Sequence, residues 1–158
     1  LEPLPIGQGE LLRRSRKAGL LLIAVGSMVE TALQAAEGLA TEQIPCSVID
    51  ARFIKPLDEK LLSRQIQRAL GVITLEENVV HGGFGEAVLS LMSRKDLLVP
   101  SRLLGVPDRF ISFGSQEDQL HEAGLSLEQV MESARMLWEK VSDTSSHDVL
   151  GTAAKRLA

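Results

Sequence analysis

The sequence contains a single cysteine, Cys46, and only 3% aromatic residues. One cysteine excludes an internal disulfide and favours a reducing compartment. Because Cys46 follows Pro45 among apolar residues, we expect a small buried side chain and not a nucleophile. No apolar run approaches the roughly 20 residues that a membrane span needs, so no membrane partner is expected.

A strongly basic surface is also missing, since the net charge is −4. Basic residues cluster only between residues 13 and 17, and no aromatic residue is interleaved with them. Single-stranded nucleic acids are bound by cations combined with aromatic stacking platforms. We therefore interpret the cluster as a solvated edge strand and expect no nucleic-acid partner.

Signatures of independent catalysis are absent as well. His81, His121 and His147 lie too far apart in sequence to indicate a metal site, and no cysteine–histidine spacing supports one. Neither a G-x-S-x-G nucleophile elbow nor a Walker loop occurs. The residues by themselves therefore predict no catalytic, cofactor-binding or metal-binding side chain.

What the chain does contain is an alternation of short apolar runs with segments of helical periodicity. This pattern predicts a mostly parallel sheet covered by helices on both faces, in one domain. The expected strands are 10–14, 20–25, 47–50, 72–75 and 101–105, within a domain of residues 10–141. A linker is expected at 1–9, and the composition favours a disordered or weakly helical polar tail at 142–158.

Several side chains are predicted to begin helices. Ser27 with Glu30 and Ser126 with Gln129 have the spacing of capping boxes. Asp58 is expected to be an N-cap.

The stretch from Val72 to Val88 combines a strand, acidic residues and glycines, and it supports three interpretations. A phosphate cradle would need G-x-G-x-x-G, but the spacing here is G-G-x-G. A carboxylate dyad of Glu76 and Glu77 is disfavoured because neighbours on an extended segment point to opposite sides. We favour glycines that allow close helix–strand packing, with acids that cap local amides or pair with a neighbouring chain.

Four segments together resemble a known family. They are LPIGQGE at 4–10, ARFIKPLD at 51–58, EENVVHGGFGEAV at 76–88 and GVPDRFISFGSQ at 105–116. Their order and approximate spacing are similar to those of the carboxy-terminal domain of 1-deoxy-D-xylulose-5-phosphate synthases, over about residues 4–140. Transketolases and 2-oxo acid dehydrogenase β subunits share the fold but differ in the second and fourth segments.

The resemblance implies a three-layer α/β/α domain whose mostly parallel five-stranded sheet has one antiparallel edge strand. The full enzymes are homodimers that use thiamine diphosphate and Mg²⁺ to condense pyruvate with glyceraldehyde 3-phosphate, with loss of CO₂. Their product feeds isoprenoid, thiamine and pyridoxal synthesis. The family's Gly-Asp-Gly cofactor motif belongs to preceding domains and has no match here. We therefore expect this chain to bind no cofactor and to be inactive alone.

Under this interpretation the chain is a fragment or a processed piece, as its start at Leu1 also suggests. Its partners are the missing amino-terminal and middle domains and a second subunit. The location is the cytoplasm of a bacterium, or a plastid in a plant. The alternatives are the corresponding domain of a transketolase or dehydrogenase β subunit, and an independent module that binds a phosphorylated ligand on its loops.

The expected contact face consists of two polar segments and the glycines between them. If φ at Gly83 is positive, a β-branched residue there should weaken assembly. Family members often have His where Phe113 precedes Gly114, so a polar role at that position is not expected here. The predicted interface residues are Glu76, Glu77, Asn78, Gly82, Gly83, Gly85, Asp108 and Arg109.

Overall fold

The computed structural model describes the backbone of residues 3–154 and the side chains of residues 3–143. Strands and helices alternate along this part of the chain, as the periodicity predicts. The strands are β1 (Glu10–Arg13), β2 (Leu20–Ala24), β3 (Cys46–Asp50), β4 (Gly71–Val79) and β5 (Ser101–Val106). The helices are α1 (Met28–Thr41), α2 (Glu59–Ile66), α3 (Phe84–Arg94), α4 (Gln116–Ala123) and α5 (Leu127–Ala154).

The five strands form a single mixed sheet with the order β1-β3-β2-β4-β5. β1 pairs antiparallel with β3, and the remaining neighbours are parallel. The prediction of a mostly parallel sheet with one antiparallel edge strand is therefore confirmed. Since β2 and β4 lie at the centre, the loops that follow them meet at the carboxyl edge of the sheet, where ligands and partners bind in open α/β folds.

Helices cover both faces of the sheet, which explains why β2 is apolar at every position. Leu20 and Leu22 face a core cluster that includes α1 and α5. Leu21 and Ile23 face a second cluster with α2 and α3. The expected three-layer architecture is confirmed.

Cys46, at the start of β3, lies in the first core cluster and is 3% exposed. Burial raises the pKa of its thiol to about 12. The prediction that it is a small buried residue is confirmed.

β4 is longer than its apolar run predicts: the strand ends at Val79, whereas the run ends at Leu75. Its pairing with β5 is interrupted by a register shift between these two residues, after which Val79 pairs with Val106. The Val80 N–H also donates to the Val106 carbonyl at 3.1 Å. Glu76 and Glu77 therefore lie within an irregular strand and not in a turn after it. The strand continues past the irregularity because its residues pair with β5 again at Val79.

Two of the three predicted caps form. Asp58 accepts from the Leu61 N–H at 2.9 Å, and Ser126 and Gln129 bond reciprocally at 3.2 and 3.4 Å. The capping box at Ser27 is wrong: its backbone is helical and its side chain caps no amide. The Ser27 hydroxyl instead donates to Glu77, on the neighbouring strand.

α5 continues to Ala154, beyond Val141, where the predicted domain ends. The proposed tail at 142–158 includes residues 155–158 and side chains from 144 onward, which lie outside the described residues. The linker at 1–9 includes residues 1 and 2, which also lie outside them. Both boundaries stay predictions.

Candidate interface at the carboxyl edge of the sheet

Glu77 connects two loops at the carboxyl edge of the sheet. Its carboxylate accepts from the hydroxyl of Ser27, which follows β2, and from Nε2 of Gln116 at 3.1 Å, at the start of α4. The Glu77 side chain itself is exposed. One carboxylate thus orders segments that are distant in sequence while remaining on the surface.

Glu76 points the opposite way and is only 1% exposed. Its two oxygens accept from the N–H groups of Phe84 and Gly85, each at 2.8 Å, at the start of α3. The N-cap residue, Gly83, has no side chain that could supply these acceptors, so Glu76 caps the helix from the adjacent strand. As expected, the side chains of Glu76 and Glu77 point to opposite sides of the strand. This geometry excludes a pair of carboxylates that share one proton.

The glycines at the start of α3 have different roles. Gly82 has a φ of +74°, in the left-handed region, and open space around it. Gly83 has a φ of −85°, so the condition of a positive φ is not met there. A Cβ on Gly83 would instead lie 2.3 Å from the Val79 carbonyl oxygen and 2.6 Å from a Glu76 carboxylate oxygen.

Gly85 allows α3 to pack closely against the sheet. A Cβ at this position would lie 2.6 Å from Oγ1 of Thr74 and 2.8 Å from the side chain of Leu103. Both distances are shorter than a van der Waals contact, so only glycine fits. The interpretation of the glycines as packing residues therefore accounts for Gly83 and Gly85 within the domain.

The predicted interface residues thus divide into inward and outward groups. Glu76, Gly83 and Gly85 are buried inside this domain. Glu77, Asn78, Gly82, Asp108 and Arg109 are exposed and lie in or beside the loops of the same edge. The exposed group is available to a partner surface, whereas the buried group shapes the loops that carry it.

Arg109 is held against α4. Its guanidinium donates to Oε1 of Glu122 at 3.1 Å and to the Glu122 carbonyl oxygen at 2.8 Å, while the Ser112 N–H donates to Oε2 of Glu122 at 3.1 Å. At the start of α4, Ser115 and Asp118 form a capping box, and the Ser115 hydroxyl lowers the pKa of Asp118. The loop between β5 and α4 is therefore tied to α4 at both ends.

That ordered loop exposes two aromatic side chains, Phe110 and Phe113, completely to solvent. Val79 and Ile54, in β4 and in the loop after β3, are also large apolar residues exposed at this edge. Apolar residues grouped beside polar ones are typical of protein contact surfaces. Sequence reasoning missed the two phenylalanines as contact residues, although the pattern F-I-S-F between polar residues was a visible signal.

Groups suited to catalysis do not converge at this edge. Among the described residues, no group of three or more histidine, cysteine, aspartate or glutamate side chains could hold a metal. His81 lies 3.4 Å from Glu86 and is largely exposed. Across the described ranges, no helix has the length and apolar character to cross a membrane. The side chains exposed at this edge include both large apolar and charged residues.

Sequence comparison places the chain among known proteins. The family model for "Transketolase, C-terminal domain" matches residues 7–130. A 1-deoxy-D-xylulose-5-phosphate synthase of Thermosynechococcus vestitus is 47% identical over 135 residues, covering 84% of this chain and 20% of the relative. One from Rippkaea orientalis is 45% identical over 131 residues, covering 83% and 20%. The chain spans about a fifth of the length of these curated relatives.

Solved structures agree with the fold. A split-gene transketolase, described as an inactive β4 tetramer, superposes with a TM-score of 0.75 at 30% identity, over 86% of this chain and 43% of its own. Transketolase from Campylobacter jejuni gives a TM-score of 0.57 at 22% identity, over 79% and 18%, and supports the fold alone. With a family model that covers most of the chain and a matching three-layer sheet, this protein belongs to the transketolase C-terminal domain family.

Proposed function

We propose that this chain is the carboxy-terminal domain of a 1-deoxy-D-xylulose-5-phosphate synthase. Such an enzyme condenses pyruvate with glyceraldehyde 3-phosphate, with loss of CO₂, to supply isoprenoid precursors and, in bacteria, thiamine and pyridoxal. The identities of 45–47% to relatives of that name, over more than four-fifths of this chain, support this assignment. The proposed location is the bacterial cytoplasm, or a plastid if the source is a plant.

The residues described do not fit thiamine diphosphate or its Mg²⁺. The candidate carboxylate in the glycine-rich stretch, Glu76, already accepts from two backbone amides, and the described side chains form no metal-ligating cluster. We therefore propose that the reacting groups belong to other domains of the enzyme. The isolated chain is expected to be inactive.

The role that remains is to support assembly through the carboxyl edge of the sheet. The observation that carries this proposal is the complete exposure of Phe110 and Phe113 on a loop fixed to α4 by Arg109. Burial of a large aromatic side chain contributes roughly 1.5–3 kcal/mol. Two such side chains, in the loop that also carries the exposed Asp108, provide apolar anchors with a polar rim.

A domain exchange tests the assignment. The corresponding segment of the Thermosynechococcus vestitus synthase, 47% identical over 135 residues, is replaced by this chain. We expect the hybrid to form 1-deoxyxylulose 5-phosphate from pyruvate and glyceraldehyde 3-phosphate. A folded, cofactor-loaded hybrid without this activity would contradict the proposal.

The contact surface is tested in the same hybrid with Phe110→Ser and Phe113→Ser. Because both side chains are exposed in the free domain, we expect little change in the thermal stability of the isolated chain. The subunit dissociation constant, measured by sedimentation at decreasing protein concentration, should increase about tenfold or more. Leu98→Ser is the matched control, because Leu98 is equally apolar and exposed but lies beyond α3, near the start of β5.

Two alternatives give different outcomes. The first alternative is a transketolase domain, which the 30% identity to a split-gene transketolase keeps as a candidate. In that case the hybrid would fail and an exchange into a transketolase would succeed. An independent binding module on the loop edge would give saturable NMR shifts of the amides of residues 77–82 and 108–116 with thiamine diphosphate, a nucleotide or a sugar phosphate. Our proposal predicts no such signal from that edge.

A further inference from the structure

A second feature lies at the opposite edge of the sheet, where the parallel strands begin. A cavity of about 340 Å³ opens between the end of β1, the starts of β2 and β3, and the end of α2. Its lining includes Arg14, Arg16, Lys17 and Arg68, together with Ser47 and Gln65. Volumes of roughly 300–1,000 Å³ are typical of small-molecule sites.

The charge of this cavity is unbalanced. Four of its lining side chains are cationic, and no carboxylate is among the described residues that line it. Within the described part of the chain, none of these four cations has an ion-pair partner. The whole chain carries a net charge of −4, so this concentration of unpaired positive charge runs against the average composition.

Hydrogen bonds fix the segment that carries three of the cations. The Ser15 N–H donates to Oγ of Ser47, on β3, at 3.0 Å. The Ser15 hydroxyl donates to the Lys17 carbonyl oxygen at 2.9 Å and accepts from the Lys17 N–H at 3.2 Å. The cations therefore follow an anchored turn and not a free extension of β1.

Arg68 approaches from a different element, just beyond α2, so the cations surround the cavity and do not lie in one row. Gln65 lies one turn earlier in α2, is only 9% exposed and also lines the cavity. Its amide adds a polar group that can donate or accept. Arginines supplied by two separate elements can bind the oxygens of a phosphate group from two sides.

We propose that this cavity binds a small metabolite that carries a phosphate group. The site is separate from the proposed contact face, because its residues precede the parallel strands whereas the contact loops follow them. Nucleic acid is disfavoured, since no aromatic residue lines the cavity to stack on bases. The cavity size and its polar, cationic lining favour a compact anion.

The test is a titration of the ¹⁵N-labelled 158-residue chain with inorganic pyrophosphate, followed by NMR at constant ionic strength. We expect saturable shifts of the amides of residues 14–19, 47 and 65–69. Arg16→Gln with Arg68→Gln should weaken binding about tenfold or more, because each charge-assisted hydrogen bond to phosphate is worth at least that factor. Lys95→Gln with Arg102→Gln removes the same charge elsewhere and should leave the affinity unchanged.

Parallel titrations with ribose 5-phosphate and a short oligonucleotide define the ligand. Tighter binding of ribose 5-phosphate supports the proposal and identifies a sugar monophosphate, whereas tighter binding of pyrophosphate supports it and identifies a diphosphate. Shifts that do not saturate, or equal weakening by the control pair, would overturn it. So would binding of the oligonucleotide at lower concentration than either phosphate compound.

Discussion

Replacing Glu76 by Gln tests the cap that joins β4 to α3. The wild-type carboxylate accepts two amide N–H groups at 2.8 Å while 1% exposed. Glutamine keeps one acceptor oxygen but presents an NH₂ group to the second amide. Losing one charge-assisted bond costs about 1.5–3 kcal/mol, and the amide left unsatisfied adds about 1–3 kcal/mol. Allowing for partial relaxation, we expect Glu76→Gln to lower the free energy of unfolding by about 3 kcal/mol.

Urea unfolding measures this loss, with the fluorescence of Trp138, the single tryptophan, and far-ultraviolet circular dichroism as probes. Glu77→Gln is the matched control, because the neighbouring carboxylate is exposed and its bonds to Ser27 and Gln116 lie at the surface. Its cost should remain below about 1 kcal/mol. Equal losses in the two variants, or a loss under about 1 kcal/mol for Glu76→Gln, would refute the reasoning.

Further predictions concern the neighbouring glycines and the buried thiol. Gly83→Ala should lower the free energy of unfolding by about 3 kcal/mol, because the new Cβ would lie 2.3 Å from the Val79 carbonyl oxygen. Gly82→Ala should lower it by only about 1 kcal/mol, because the space there is open and only the left-handed φ of +74° is unfavourable. A lower urea midpoint for Gly82→Ala than for Gly83→Ala would contradict this prediction. Burial raises the pKa of the Cys46 thiol from its ordinary value of 9.0 to about 12. The unfolded chain therefore loses its proton first, and the stability contributed by the protonated thiol, complete below pH 9, falls as the pH rises from 9 to 12. Relative to Cys46→Ala, the wild-type protein should lose up to about 1.4 kcal/mol of unfolding free energy per pH unit in that window. If the unfolding free energies of the two proteins changed in parallel with pH, burial would not raise the pKa of the thiol.

Local patterns predicted the architecture well because strand and helix periodicity arise from burial on known faces. The apolar run at 20–25 predicted a strand in the core, and the strand Leu20–Ala24 lies at the centre of the sheet. The end of β4 was mispredicted, since Glu76 is polar and yet buried as a cap for another element. A charged residue in a strand pattern resembles a boundary unless its distant partner is known.

The candidate interface shows the same division. Sequence reasoning identified the polar segments around Glu77 and Asp108, but it grouped buried and exposed residues together. The exposure of Phe110 and Phe113 and the bond from Ser27 to Glu77 depend on contacts between segments up to about 50 residues apart. Spacing along the chain carries no information about such contacts until the sheet order is known.

By itself, the sequence determined the fold class, the order of the elements and the burial of Cys46, because each follows from apolar periodicity within a few residues. Only the tertiary structure decided which of two adjacent glutamates is a helix cap, why Gly83 is a glycine, and that cations from two elements line one cavity. Those properties arise when strands distant in sequence become neighbours and bring their ends to a common edge. They are therefore properties of the assembled sheet and of no single segment.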